Sequence, residues 1–200
     1  MVSFRIAFVL FFYLIASSVA RTGYFGRCSV KPTPQTVSNF NIPEYMNRWY
    51  EQLRDVDSNR FGEAGDCVTA TYSLNNDNTV KVQNREYYLY QKTSSLVEGE
   101  LRCINPDVEA KCKVKFGPKW LGLLGEGNYW VLETDYTNYS IVYSCTEFSG
   151  FFYGEFLWVL TREANPSTEV WDRINAAVEK STYPFLSLRK TIHNEDCIYN

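Results

Sequence analysis

Between residues 48 and 163 apolar and polar positions alternate in short runs rich in β-branched and aromatic residues, each closed by turn-forming residues. Such alternation predicts strands with one buried and one solvated face. Eight runs qualify, at residues 49–54, 67–74, 80–89, 96–104, 111–116, 129–135, 140–146 and 154–162. Asn75-Asn76-Asp77-Asn78, between the second and third, is polar and tolerant of left-handed dihedrals, as a tight hairpin demands. The pattern then changes period. Asn165-Pro166 offers a cap and a preset first helical residue, and Val170, Ile174, Ala177 and Val178 recur at helical spacing. One amphipathic helix is predicted there, stopped by Tyr183-Pro184.

The first twenty residues are of another kind. A single cation, Arg5, precedes an unbroken apolar run from Ile6 to Ile15, with small residues at Ser18 and Ala20. This reads as a secretory signal cut after Ala20, too short for a bilayer span, and no later stretch is apolar enough to be one. The expected division is 1–20 as signal and 21–200 as one domain, whose apolar fraction of 45% is enough to fill a single core. Six cysteines in a secreted chain imply three disulfides, with fifteen pairings open; their spacing fits no zinc ribbon or finger. Lys and Arg are scattered and the net charge is −3, which excludes a basic nucleic-acid face. Asn138-Tyr139-Ser140 is a sequon at a predicted hairpin, making Asn138 a candidate for glycosylation.

Catalytic chemistry is sparse. The lone histidine, His193, lies in the tail before Asn194-Glu195-Asp196-Cys197 and reads as a solvated residue rather than a base. The chain has no His-x-x-His pair, no glycine-rich phosphate loop and no Gly-x-Ser-x-Gly, so no metal or cofactor is expected. Glu86 would need desolvation and a partner acid to act as a catalytic carboxylate; it reads instead as a hydrogen-bonded group within a pocket.

Asn47-Arg48-Trp49-Tyr50, Thr134-Asp135-Tyr136 and Trp158-Val159-Leu160-Thr161-Arg162 follow one another in that order, ahead of the helix near Pro166. Together they resemble the lipocalin family. Val97-Glu98-Gly99-Glu100 and Val142-Tyr143-Ser144-Cys145 bring the chain nearest the branch of apolipoprotein D, Lazarillo and the bilin-binding proteins. The resemblance implies an all-β fold, an eight-stranded antiparallel up-and-down barrel with one α-helix packed outside, and a non-enzymatic protein. It implies that Trp49 and Arg162 pack across the barrel floor. Asn47 replaces the glycine of the family's Gly-x-Trp, and Asn also accepts unusual dihedrals. The family pairing implies Cys28–Cys145 and Cys67–Cys197, which leaves Cys103 and Cys112 for each other; strand alternation allows both sulfurs on one side of a hairpin.

In the family the Trp of the eighth strand faces the cavity. By that carry-over Phe156 and Trp158 line it, with Tyr129 and Val131 on the sixth strand, Val68, Ala70 and Tyr72 on the second, and Asn84 and Glu86 on the third. Such a pocket suits a small hydrophobic ligand. Glu86 would repel the propionates of a bilin, so a fatty acid, sterol or similar lipid is preferred to a pigment, and a thiol-dependent isomerase would need a reduced cysteine. Only Met46 remains in the mature chain, so protection from oxidation, suggested by the resemblance, would come from sequestering lipid. At the expected open end Trp120, Leu123, Leu124, Phe151 and Phe152 make two loops apolar, a rim for peripheral membrane or lipoprotein contact, or else a lid or a dimer seat. The oligomeric state is left open.

Overall fold

The computed structural model describes residues 24–25, 28, 33–56, 58, 63–117, 126–148, 152–181 and 188–199. Its strands are β1 (Tyr24–Phe25), β2 (Asn47–Asp55), β3 (Asp66–Leu74), β4 (Val80–Tyr88), β5 (Thr93–Cys103), β6 (Lys111–Phe116), β7 (Gly127–Thr134), β8 (Tyr139–Phe148), β9 (Phe152–Thr161) and β10 (Leu188–Lys190). Helices α1 (Ile42–Tyr45) and α2 (Thr168–Lys180) complete the set. Neighbours run β1-β9-β8-β7-β6-β5-β4-β3-β2-β10, and a further β9–β2 pairing closes β2 to β9 into an antiparallel eight-stranded barrel. The expected fold class is therefore found. Two compact units are distinguished, 1–32 with 145–154, and 33–144 with 155–200. In the smaller, Cys28 is bonded to Cys145, its N–H donates to Glu147 (3.1 Å), and β1 pairs with Phe152 and Tyr153.

In the larger unit one set of alternating side chains meets inside the barrel. Trp49, Ala70, Tyr72, Val82, Leu101, Val114, Val131, Val142 and Leu160 belong to one buried cluster. The opposite faces of β8 and β9 present Tyr139, Ile141, Leu157 and Val159 to Ile174, Ala177 and Val178 of α2. That stripe is the one the helical spacing predicts. The helix begins two residues later than Asn165-Pro166 suggests, however. Its cap is Ser167, whose hydroxyl accepts from the Val170 N–H, leaving Pro166 before the helix. The C-terminal residue Lys180 is followed by Ser181, while 182–187, with Tyr183-Pro184, lie outside the described residues.

Among the described residues six non-glycines have left-handed backbone, and three of them are asparagines, Asn39, Asn47 and Asn78. Asn78 (φ 62°) turns the β3–β4 hairpin, and Asn47 (φ 74°) opens β2 in the conformation for which glycine is the usual residue. Gly99 answers a different need: a Cβ there would lie 2.7 Å from both the Phe116 ring and the Lys115 carbonyl.

Register shifts decide what enters the upper barrel. In β2 the pairing with β9 slips between Glu51 and Leu53. Gln52 is the extra residue, so Leu53 joins the α2 side while Arg54 lies opposite Trp158. A second slip, between Asp66 and Thr69, bends β3 away from β2, whose direct pairing covers only Asn47 to Tyr50. The C-terminal tail fills the wedge. β10 pairs with Leu53 to Asp55, Thr191 N–H donates to the Gln52 carbonyl (3.0 Å), Cys67 N–H donates to the Ile192 carbonyl (2.9 Å), and Cys67–Cys197 pins the end.

Candidate ligand site inside the barrel

Arg162 seals the floor. Its guanidinium lies 3.6 Å from the centroid of the fully buried Trp49 ring. Nε donates to the Tyr136 carbonyl (2.9 Å), Nη1 to those of Met46 (2.8 Å) and Arg48 (3.0 Å), and Nη2 to that of Glu44 (2.9 Å). One side chain thus ties the α1 segment to the β7–β8 turn. In that turn Asp135 accepts from the N–H groups of Thr137, Asn138 and Tyr139, and from the Asn138 side-chain amide (2.7 Å). The nitrogen a glycan would use is thereby engaged, also donating to the Thr137 hydroxyl (3.1 Å).

Above the floor lies a run of hydroxyls. Tyr72 and Tyr129 share a hydrogen bond (2.8 Å), as do Tyr129 and Tyr45 (2.9 Å), and Tyr45 and Ser140 (2.9 Å). Burial raises all three phenols, Tyr45 to about 12, so each is neutral at physiological pH. Cys103–Cys112 bridges directly opposed residues of β5 and β6 within the same cluster. All six cysteines are paired.

Further along β2, β9 and the tail comes a charged layer. Arg54, fully buried, donates through Nη2 to the Gly65 carbonyl, which also accepts from Arg189 Nη2 (3.2 Å). Gly65 N–H in turn donates to Glu86 Oε2 (2.6 Å), and Tyr88 donates to Glu86 Oε1 (2.7 Å). This close approach requires glycine, since a Cβ at position 65 would stand 2.9 Å from the Glu86 Cβ, which is fixed to its strand, as well as 2.8 Å from that carboxylate oxygen. Glu51 accepts from Thr191 (2.7 Å) and lies 3.4 Å from Arg54 Nη1 as an ion pair, without hydrogen-bond alignment. Glu63 accepts from Trp158 Nε1 (3.0 Å). Burial pushes the Glu51 carboxyl up to about 7, the Glu63 charge adding to the rise while Arg54, Thr191 and Arg189 oppose it. Glu63 is raised for the same first reason, with Glu86 adding to it and Trp158, Arg54 and Ser58 opposing.

The structure places Ala70, Tyr72, Tyr129 and Val131 together in or against the inner cluster, Trp158 packed on it and stacked on the buried Phe156 (5.9 Å). Val68 is half-buried in the β3 irregularity. The buried Asn84 Oδ1 has no partner among the described residues. Glu86 holds the chain at Gly65 with both oxygens engaged, so it is not the lone charge that the sequence suggests. Glu51, Arg54, Glu63 and Arg189 were not singled out from the sequence, and only Cys67–Cys197, by fixing the tail near β3, hinted at Arg189. His193 is no solvated tail residue: Nε2 donates to the Glu51 carbonyl (2.7 Å), Nδ1 meets the Tyr199 hydroxyl (2.8 Å), and burial lowers its pKa. Trp120, Leu123, Leu124 and Phe151 lie outside the described residues, and Phe152 is seen as backbone paired with Phe25. A concavity of about 700 Å³ lies outside the wall, over Lys81, Glu98, Arg102 and Lys113. Those side chains alternate with inward ones, so the concavity is separate from the interior.

A closed barrel with a Trp–Arg floor and a mixed aromatic and polar interior defines a small-molecule-binding β-barrel. The profile of the Lipocalin-like domain matches residues 40–193, and the chain belongs to the lipocalin family. It is 36% identical to apolipoprotein D of Rattus norvegicus over 149 residues, 74% of this chain and 73% of that one. It is 32% identical to the Lazarillo protein of Schistocerca americana over 139 residues, 69% and 63% of the two chains. Among solved structures, insecticyanin of Manduca sexta superposes with a TM-score of 0.71 at 17% identity, covering 88% and 91%. The tryptamine complex of the amine-binding protein of Rhodnius prolixus gives 0.63 at 21%, covering 84% and 90%. These last two bear on the fold alone. Membership of the family supports small hydrophobic ligand binding in the barrel.

Proposed function

We propose that this protein is a secreted carrier that binds a fatty acid, sterol or similar lipid in its barrel and transports it without transforming it. The observation behind this reading is the stacked Phe156–Trp158 pair beside the apolar and aromatic cluster of the barrel interior. Burial of the tail supplies the driving force, at roughly 25 cal/mol per Å². Secretion follows from the reading of residues 1–20 as a signal and is supported by three disulfides. Titration with a lipid panel and with biliverdin, following quenching against a Trp158→Phe control, tests it. Saturable quenching by lipid that disappears in the control is expected; tight binding of biliverdin alone refutes the lipid reading.

Biliverdin is the second reading, favoured by the Arg54–Arg189 pair, whose positive charge offsets the repulsion of Glu86 for propionates. The thiol-dependent isomerase would require reduction of Cys103–Cys112. The apolar residues Trp120, Leu123, Leu124, Phe151 and Phe152 are proposed to touch membranes or lipoprotein particles during exchange. Unchanged liposome pelleting of a Trp120→Ser, Phe151→Ser double variant refutes that contact. Glycosylation at Asn138 is likewise proposed, checked by a mass shift on enzymatic deglycosylation.

A further inference from the structure

We propose that Arg54 and Arg189 form an anion subsite within the barrel that takes the carboxylate head of an amphiphilic ligand. This inference rests on ligand binding in the barrel as proposed above.

The argument is one of unmet hydrogen-bonding capacity. Guanidinium donates from three nitrogens and cannot shed its charge. Arg54 is fully buried, yet only Nη2 has a hydrogen-bond acceptor; Nε and Nη1 have none among the described residues. Arg189 Nε is also buried and unpartnered. On the acceptor side both Glu86 oxygens are engaged, Glu51 takes Thr191, and Glu63 takes Trp158. Three buried guanidinium nitrogens of this layer thus have no aligned acceptor among the described residues, which an incoming carboxylate supplies and an ammonium does not. Asn84 Oδ1 is a buried acceptor with no partner among the described residues, able to receive a ligand hydroxyl.

Glu63 is the resident carboxylate that a ligand head would meet in this layer. It lies on the connection from β2 to β3, three residues before β3, and its carboxylate accepts from Trp158 Nε1 (3.0 Å), the residue opposite Arg54 on β9. The groups facing it are Trp158 from β9, Arg54 from β2, Glu86 from β4 and Ser58 from the connection. A ligand carboxylate therefore meets the Glu63 charge as well as the two guanidinium groups, and removing that charge favours it. The ligand tail then follows Phe156 and Trp158 toward the apolar cluster. A lone carboxylate at Glu86 would repel a fatty-acid head; the two guanidinium groups reverse that sign.

Oleate, methyl oleate and oleylamine present three heads on one tail and are titrated calorimetrically into the intact protein at neutral pH. Oleate is expected to bind about tenfold or more tighter than the other two, the scale of one or two charge-assisted hydrogen bonds. Arg54→Gln is expected to abolish that preference while methyl oleate affinity stays put. Because loss of Arg54 leaves Glu51 without its ion-pair partner, Glu63→Gln is the independent variant: removing the resident carboxylate should raise oleate affinity several-fold and leave the ester unchanged. Equal binding of oleate and its ester by the wild type, tightest binding of the amine, or an unchanged oleate preference in Glu63→Gln overturns the subsite with the lipid-carrier reading intact. Failure of all three to bind overturns both.

Discussion

Replacing Arg162 by Ala tests whether one side chain holds the closed end of the barrel together. The wild-type guanidinium accounts for four hydrogen bonds to main-chain carbonyls and covers the Trp49 face. Bonds to a charged group are worth about 1.5–3 kcal/mol each when the partner is left dry. Here the carbonyls of Glu44, Met46 and Arg48 lie at the barrel end, where water can take over, so each retains only a fraction of that value. The cation–π contact contributes about 1–2 kcal/mol more, since Trp49 is fully buried. The expected loss is about 3–4 kcal/mol for Arg162→Ala. For Arg162→Lys it is about 2 kcal/mol, because an ammonium can reach some carbonyls but cannot stack flat on the indole. Urea unfolding with the disulfides intact, followed by far-ultraviolet circular dichroism, should show a lower midpoint at unchanged slope. A Trp49→Leu cycle should return a coupling of about 1–2 kcal/mol. A loss below about 1 kcal/mol for Arg162→Ala, or no difference between Arg and Lys, refutes the reasoning.

Four further outcomes are expected. The Glu51 carboxyl, raised from 4.5 to about 7 on folding, binds its proton more tightly in the native state, so its contribution is full below about pH 4.5 and is lost as pH rises through about 7. Glu51→Gln should remove a decline on the order of 3 kcal/mol between pH 5 and 8; urea titrations that fall in parallel with wild type refute this. His193, lowered by burial, acts in the opposite sense: its contribution is present above about 6.5 and is lost as pH falls toward its native value, so His193→Gln should be less sensitive to acid in thermal scans. Opening Cys67–Cys197, which spans 130 residues, should cost about 5 kcal/mol on the chain-entropy model, against about 2–3 kcal/mol for Cys103–Cys112, spanning 9, as paired Cys→Ser variants would show in thermal midpoints. Asn47→Gly should leave stability within about 0.5 kcal/mol, whereas Asn47→Val, forced to a φ of 74°, should lose about 1–2 kcal/mol in urea.

What the sequence discloses about this barrel is uneven, and the unevenness has a physical cause. At the closed end the informative residues act through local geometry. Asn47 marks a left-handed residue, Asp135 collects the N–H groups of its own turn, and Asn78 reverses a hairpin, each within about four residues of what it organises. The eight strands and the outer helix follow from such signals with the alternation between them, while the closed barrel is what the resemblance to the lipocalin family implies. Edge details escape for equally physical reasons: Ser167 rather than Asn165 caps α2, and the three-residue β10 is too short and too charged to register as a strand.

The charged layer is hidden by a single residue. Counting alternately along β2 from Trp49 sends Glu51 and Leu53 inward and Arg54 outward, the arrangement an unbroken strand would have. The extra residue at Gln52 inverts everything after it, delivering Leu53 to the helix and a guanidinium to the interior. No local residue type demands that irregularity; it arises where β2 leaves β3 and must accept the tail instead, a partner more than 130 residues away in sequence. Arg189 reaches the same layer by that route. The polar chemistry with the strongest bearing on ligand choice is thus created by register, and Glu86 read alone gives the opposite sign for a ligand's charge from Glu86 set beside Gly65, Arg54 and Arg189.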